Sequence, residues 1–251
     1  MNLQSVRPRM SPTRTIYMAR LVLRCLVLVT AIALYICAPQ TFHIIESGEF
    51  FSGLSIFHLL WVVWMLDMIQ QLIPSRKGMA LGSQKNFGVW FRPGREPASS
   101  PGLKTYLRTV NRRAAGIFVL WTVVVYTIGL LYRRGILSAS LVLLISVFFY
   151  VCDLICVLIW CPFRLMLGVR CCTTCRIFNW DHWMMFAPLF FVPGFYTRSL
   201  ATMATAIWLI WEGSIRLHPE RFWAGSNAAL TCASCTDKLC TQYCQKRKKT
   251  V

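Results

Sequence analysis

Eight of the chain's 12 cysteines fall into two spaced clusters, and these are the residues whose types and spacing could do chemistry. Cys161, Cys171, Cys172 and Cys175 follow a C-x9-C-C-x2-C pattern, and Cys232, Cys235, Cys240 and Cys244 follow C-x2-C-x4-C-x3-C. Short, uneven spacings of thiolates can wrap one soft metal ion or an iron–sulfur cluster, because such metals gather sulfur ligands in fours. The tail set has four ligands within 13 residues, no apolar core of its own, and a basic terminus (Lys246, Arg247, Lys248, Lys249) that would offset a four-thiolate charge. Metal binding would then supply the folding energy of the tail. Zinc favours paired C-x2-C knuckles, whereas iron–sulfur clusters accept uneven gaps and the Cys-Pro step seen at Cys161-Pro162, so the cofactor is read as one of these two. The two clusters would form two sites or share one. Adjacent Cys171-Cys172 also has the composition of a palmitoylation site at a membrane boundary. Cys25, Cys37 and Cys152 read as small apolar packing residues.

The elements that must position these cysteines are membrane helices. The chain has 251 residues, is 56% hydrophobic and 14% aromatic, and has a mean hydropathy of +0.53. Soluble domains average roughly 45–50% apolar residues even with glycine counted. The expected fold class is therefore an all-α polytopic membrane bundle. A basic arm (1–20) precedes a membrane region (21–212), and a Cys-rich tail (213–251) follows it. Four apolar runs, Leu21 to Cys37, Gly53 to Ile73, Ala114 to Tyr132 and Ile136 to Trp160, approach the roughly 20 residues that cross a bilayer. From Trp183 to Trp211 the apolar run is interrupted by Pro188 and Pro193-Gly194. Two half-helices, 183–192 and 198–212, turning at Pro193-Gly194, suit it better than one kinked span. The first run lacks a small-residue cleavage site and reads as a helix, not a removed leader.

Charge sets the expected orientation. The net charge is +18, which in a soluble protein would suggest nucleic acid. Here the cations flank apolar runs, where they fix topology and meet anionic lipid, so the partner expected is the bilayer and nucleic acid is not. The arm and the 74–113 loop are strongly cationic, whereas 39–52 holds Glu46 and Glu49 and no Lys or Arg. Both termini and both cysteine clusters are thus expected on the cytoplasmic side of the plasma membrane, where thiols stay reduced. Arg133-Arg134 in the outer turn is the dissenting pair. The 74–113 loop, rich in Pro, Gly and Ser, is expected to be without a folded subdomain.

Two acids fall inside expected spans. Asp67 lies six residues from Ile73 and Asp153 seven from Trp160, so both sit about 9–10 Å from the same boundary, within reach of Arg164 or of each other. A carboxylate inside a span costs about 2.5–3.5 kcal/mol on insertion scales, which marks the two either as a proton or ion site or as a structural pair. Cys152 and Cys156 share the helical face beside Asp153. His58 faces away from Asp67 and reads as a hydrogen-bonded helix contact. There is no Walker loop, nucleophile elbow, HExxH or dinucleotide fingerprint. The function these residues point to is a membrane-anchored metal or iron–sulfur protein in electron transfer or redox-linked chemistry. The alternatives are a subunit or assembly factor of a membrane complex, shaped by structural zinc, and a transporter using Asp67 and Asp153.

Overall fold

The computed structural model describes residues 11–46, 50–51, 53–74, 81–169, 171–235 and 239, and these are entirely helical apart from turns and one isolated bridge. Among the described residues nine α-helices run in the order α1 (Pro12–Cys37), α2 (His43–Glu46), α3 (Ile56–Gln70), α4 (Leu81–Asn86), α5 (Pro101–Arg133), α6 (Ala139–Leu158), α7 (Pro162–Leu167), α8 (Asp181–Phe186) and α9 (Phe195–Leu217). Three of them, α1, α5 and α6, are long and apolar enough to cross a membrane.

Serine starts most of the long helices. Ser11, Ser100 and Ser138 each accept a hydrogen bond at 3.2 Å from a backbone N–H in the first turn, of Arg14, Leu103 and Leu141. Ser11 and Ser100 are followed by proline, whose fixed φ suits the first helical position. The Ser100-Pro101 start lengthens the expected third helix. It begins 13 residues before Ala114 and brings Arg108, Arg112 and Arg113 onto the helix instead of leaving them in a loop. Likewise α1 begins at Pro12, so residues 12–20 of the expected arm are helical. The second expected span is a 15-residue helix, about 22 Å long and short of the roughly 30 Å hydrocarbon core. His58 completes its start: Nδ1 accepts from the Ser55 N–H at 2.9 Å, and Nε2 lies 2.7 Å from the Phe50 carbonyl.

The chain breaks at Pro193-Gly194. Gly194 has φ +120°, and a Cβ there would come within 2.6 Å of the Ile45 carbonyl oxygen, so only glycine makes this turn. Before it lie α8 and a 3₁₀ turn at Ala187–Phe191, and after it comes α9 with 23 residues, more than the half-helix expected. The face of α9 bearing Tyr196, Leu200, Ala204, Ile207 and Trp211 is buried against α3, α8 and the 3₁₀ turn. Around this core the outward faces of α1 (Val22, Leu26, Val29, Ile36) and α5 (Val119, Val123, Leu130) are exposed and apolar, as helices solvated by lipid require.

Residues 92–96 and the start of the tail pair with each other, in a stretch expected to be without a folded subdomain. Gly94 N–H donates to the Ser226 carbonyl at 2.7 Å, Glu96 N–H to Gly225 at 3.1 Å, and Ala228 N–H to Arg92 at 2.8 Å. Asn227, fully buried, donates from Nδ2 to the carbonyls of Lys85 and Arg221. Backbone pairing with Arg92, Gly94 and Glu96 thus holds Gly225, Ser226 and Ala228 in place. Cys240 and Cys244 lie outside the described residues.

Candidate functional site

The end of α6 and the turns after it build a cavity of about 110 Å³ whose wall carries five cysteines, Cys152, Cys156, Cys161, Cys172 and Cys175. On α6, Phe149, Cys152, Asp153 and Cys156 lie at i, i+3, i+4 and i+7 and form one stripe. The helix ends at Leu158, and the Ile159 and Trp160 N–H groups both bond back to the Ile155 carbonyl. Past this tight exit Cys161 returns to the wall of the same cavity as Cys156. Cys161 is also the N-cap of α7, with Pro162 at the first helical position. Cys172 and Cys175 bracket a 3₁₀ turn that faces the same space, and Tyr106 on α5 donates to the Thr174 carbonyl inside it at 3.3 Å. Trp121, Phe149, Phe163 and Met184 are among the other residues of the wall.

The thiols differ in character. The hydrogen bond from Cys156 pulls the Cys161 thiol down to about 6, helped by the Arg164 and Phe163 backbone N–H groups and opposed by burial. Burial pushes the Cys175 thiol up to about 12. Cys161 is thus the more acidic of these two thiols. Cys171 does not line this space, and Cys232 begins the 3₁₀ turn Cys232–Ser234, with Cys235 closing it. Among the described residues no three His, Cys, Asp or Glu side chains are arranged to hold a metal ion. Cys25 and Cys37 are exposed on α1, so they are surface positions and not the packing residues their type suggested.

Asp67 and Asp153 are brought together through Arg24, which stands inside the first apolar run. Arg24 Nη1 donates to Asp153 Oδ2 at 2.8 Å and to the Tyr150 carbonyl at 2.7 Å, and Nη2 lies 3.6 Å from Asp67 Oδ2. Its guanidinium also covers the Tyr150 ring at 3.7 Å, while the Tyr150 hydroxyl donates to Asp67 at 3.3 Å. Gln71 Nε2 reaches both Asp181 oxygens at 2.8 Å and His182 Nδ1 at 2.7 Å. Asp153 and Asp181 belong to the walls of both this polar cluster and the thiol cavity, so the two are adjacent. An unpaired Arg inside the first run was the available sequence signal, since a buried cation demands a buried anion.

A second cleft lies between α5 and α9. There Arg176 grips Glu212 with two hydrogen bonds of 2.6 Å, and Trp180 Nε1 adds a third at 2.7 Å. Trp183 and Trp208 stack on Phe118 alongside it. No protein-family model matches the chain, and neither a curated protein nor a solved structure matches it. What fold and site define is a class only: an all-helical chain with three apolar helices of membrane-spanning length and a thiol-lined cavity beside buried ion pairs.

Proposed function

We propose that this protein is a membrane-anchored redox protein whose cytoplasm-facing thiols serve electron transfer or redox-linked chemistry. The observation that carries the reading is the convergence of Cys152, Cys156, Cys161, Cys172 and Cys175, from three successive segments, on one cavity. Thiols so gathered are soft metal donors and, in pairs, two-electron reductants. The cofactor proposed is an iron–sulfur cluster or zinc. Its donors would come from Cys161, Cys172 and Cys175, with Cys171 beside them, and from the tail set Cys232, Cys235, Cys240 and Cys244. Among the described residues these cysteines do not form a finished coordination shell. The Lys and Arg excess of the arm, the 74–113 segment and the tail supports a cytoplasmic location for all of them. A second reading, a subunit or assembly factor of a membrane complex, is favoured by the tail's docking on residues 92–96, which presents Cys232 and Cys235 at the surface of a folded cap.

Anaerobic purification with metal analysis and an optical spectrum tests the reading. Iron with visible charge-transfer bands is expected for an electron-transfer centre. Colourless stoichiometric zinc would move the assignment to the structural reading. A metal-free protein whose thiols resist every two-electron oxidant would overturn the redox reading altogether.

A further inference from the structure

The cleft between α5 and α9 has a volume of about 490 Å³, in the range of small-ligand sites, and the redox reading leaves it unused. Its walls are two helical stripes. Asn111, Ala115 and Phe118 lie at i, i+4 and i+7 on α5, and Trp208, Glu212 and Arg216 at i, i+4 and i+8 on α9. Arg176 bridges the walls at one level, donating to Asn111 at 3.1 Å and to Glu212 at 2.6 Å. The Phe118 and Trp208 rings stack 5.8 Å apart at another level, about 10 Å further along α5 than Asn111. One end of the cleft is therefore polar and the other aromatic. The polar end lies toward the basic start of α5, where Arg108 and Arg112 are exposed. On the other side the stripes run on from Ala115 to Val119, one turn away, and from Arg216 back to Leu209, two turns away. These two are 61% and 56% exposed, so the cleft adjoins the apolar outer surface of the bundle. Its charges are unequal. Both oxygens of Glu212, the acid on the wall, are engaged by Arg176, and Trp180 adds a third hydrogen bond at 2.7 Å. Arg216 is exposed one turn further on and donates no hydrogen bond among the described residues. Arg176, Arg216 and Glu212 together leave one net positive charge on the wall.

We propose that this cleft binds one anionic phospholipid, with its phosphate on Arg216 and the upper part of an acyl chain along Ala115, Phe118 and Trp208. A guanidinium meets a phosphate through two parallel N–H donors, and tryptophan suits the depth at which head group gives way to chain. The small side chain of Ala115 keeps the α5 wall shallow enough for a chain to lie on it. The Arg176–Glu212 pair ties the segment before α8 to α9 and so fixes the back of the cleft. It also selects the head group. A zwitterionic lipid brings an ammonium that calls for a carboxylate, and Glu212 is already engaged, so a lipid of net negative charge is preferred. An inorganic anion would leave the aromatic end unfilled, and a neutral hydrocarbon would leave Arg216 unmatched. The inference is independent of the cysteines and of any metal they hold.

The test titrates the full chain in a non-ionic detergent with dioleoyl phosphatidylglycerol or dioleoyl phosphatidylcholine, and native mass spectrometry counts the lipid retained. One phosphatidylglycerol should be held per chain, about tenfold more tightly than phosphatidylcholine, and Arg216→Gln should remove that advantage, the effect of one charge-assisted hydrogen bond. Ala115→Trp should fill the cleft and abolish one-to-one retention. Both positions are exposed, so helix content and thermal unfolding should be unchanged. Arg134→Gln makes the same charge change just past the far end of α5 and should bind as the parent does. Equal retention of the two lipids would overturn the anionic head group. An equal loss in Arg134→Gln would show diffuse attraction and overturn the site. Displacement of the lipid by millimolar inorganic phosphate would give the site to a soluble anion and overturn the lipid.

Discussion

Cys161 shows how a thiol acquires reactivity from its neighbours. Cys156 donates a hydrogen bond to its sulfur, and the first N–H groups of α7 point at it, so the charged form is favoured despite burial. A depressed thiol is charged above its own midpoint, so reactivity present at neutral pH is lost as pH falls through about 6. In metal-free protein, alkylation of Cys161 by iodoacetamide should rise with pH to half its maximum near 6 and be flat by neutrality, followed by peptide mass spectrometry. Cys156→Ala removes the largest cause and should move the midpoint toward the roughly 8.5 of a free cysteine. Cys175, held near 12 by burial, should stay unlabelled throughout that range. An unchanged midpoint in Cys156→Ala would show that the pairing is incidental.

At the scale of elements, Arg24 pins α1 to the rest of the bundle. Most of α1 faces outward, and only Tyr17, Leu21 and Ala31 are buried along its 26 residues. The Arg24–Asp153 ion pair, with side chains 11% and 21% exposed, adds to the apolar packing of Tyr17 and Leu21 on Val151, Leu154 and Leu158 in holding it to α6. Removing one partner of a buried pair typically costs about 3–5 kcal/mol because the other charge is stranded. Asp153→Leu and Arg24→Leu should each lower detergent-solubilised stability by about that amount, whereas the double replacement should recover much of it. Thermal unfolding of the three variants measures this. If the double variant is no better than the singles, the acids act as an ion or proton site and not as a clamp.

For the whole molecule, the open question is which side the cysteines face. The docked cap of residues 81–96 and 219–231, the basic start of α5 and the thiol cavity all lie at the same end of the bundle as Arg113, which donates to the Leu167 carbonyl at 2.8 Å. Membrane-impermeant thiol labelling in intact cells should leave Cys232 and Cys235 unmodified until the membrane is opened. Labelling from outside would reverse the orientation and place the clusters where disulfides persist.

Much of this was legible in the chain itself. Hydropathy marked the long apolar helices, Pro193-Gly194 marked the break, and the depths of Asp67 and Asp153 marked a shared level, because a bilayer makes every residue's polarity a statement about position. Ser100-Pro101 carried the start of α5 too, as a cap read locally, but its polar context resembled a loop. What only the tertiary structure decided were pairings between distant residues. Arg24 joins Asp67 and Asp153, residues 92–96 pair with Gly225, Ser226 and Ala228 through backbone hydrogen bonds that no side-chain pattern announces, and the exit of α6 brings Cys161 into one cavity with Cys156. Spacing along a chain names possible ligands. Which thiols share one cavity depends on how a helix ends, and that is settled by packing against the other helices.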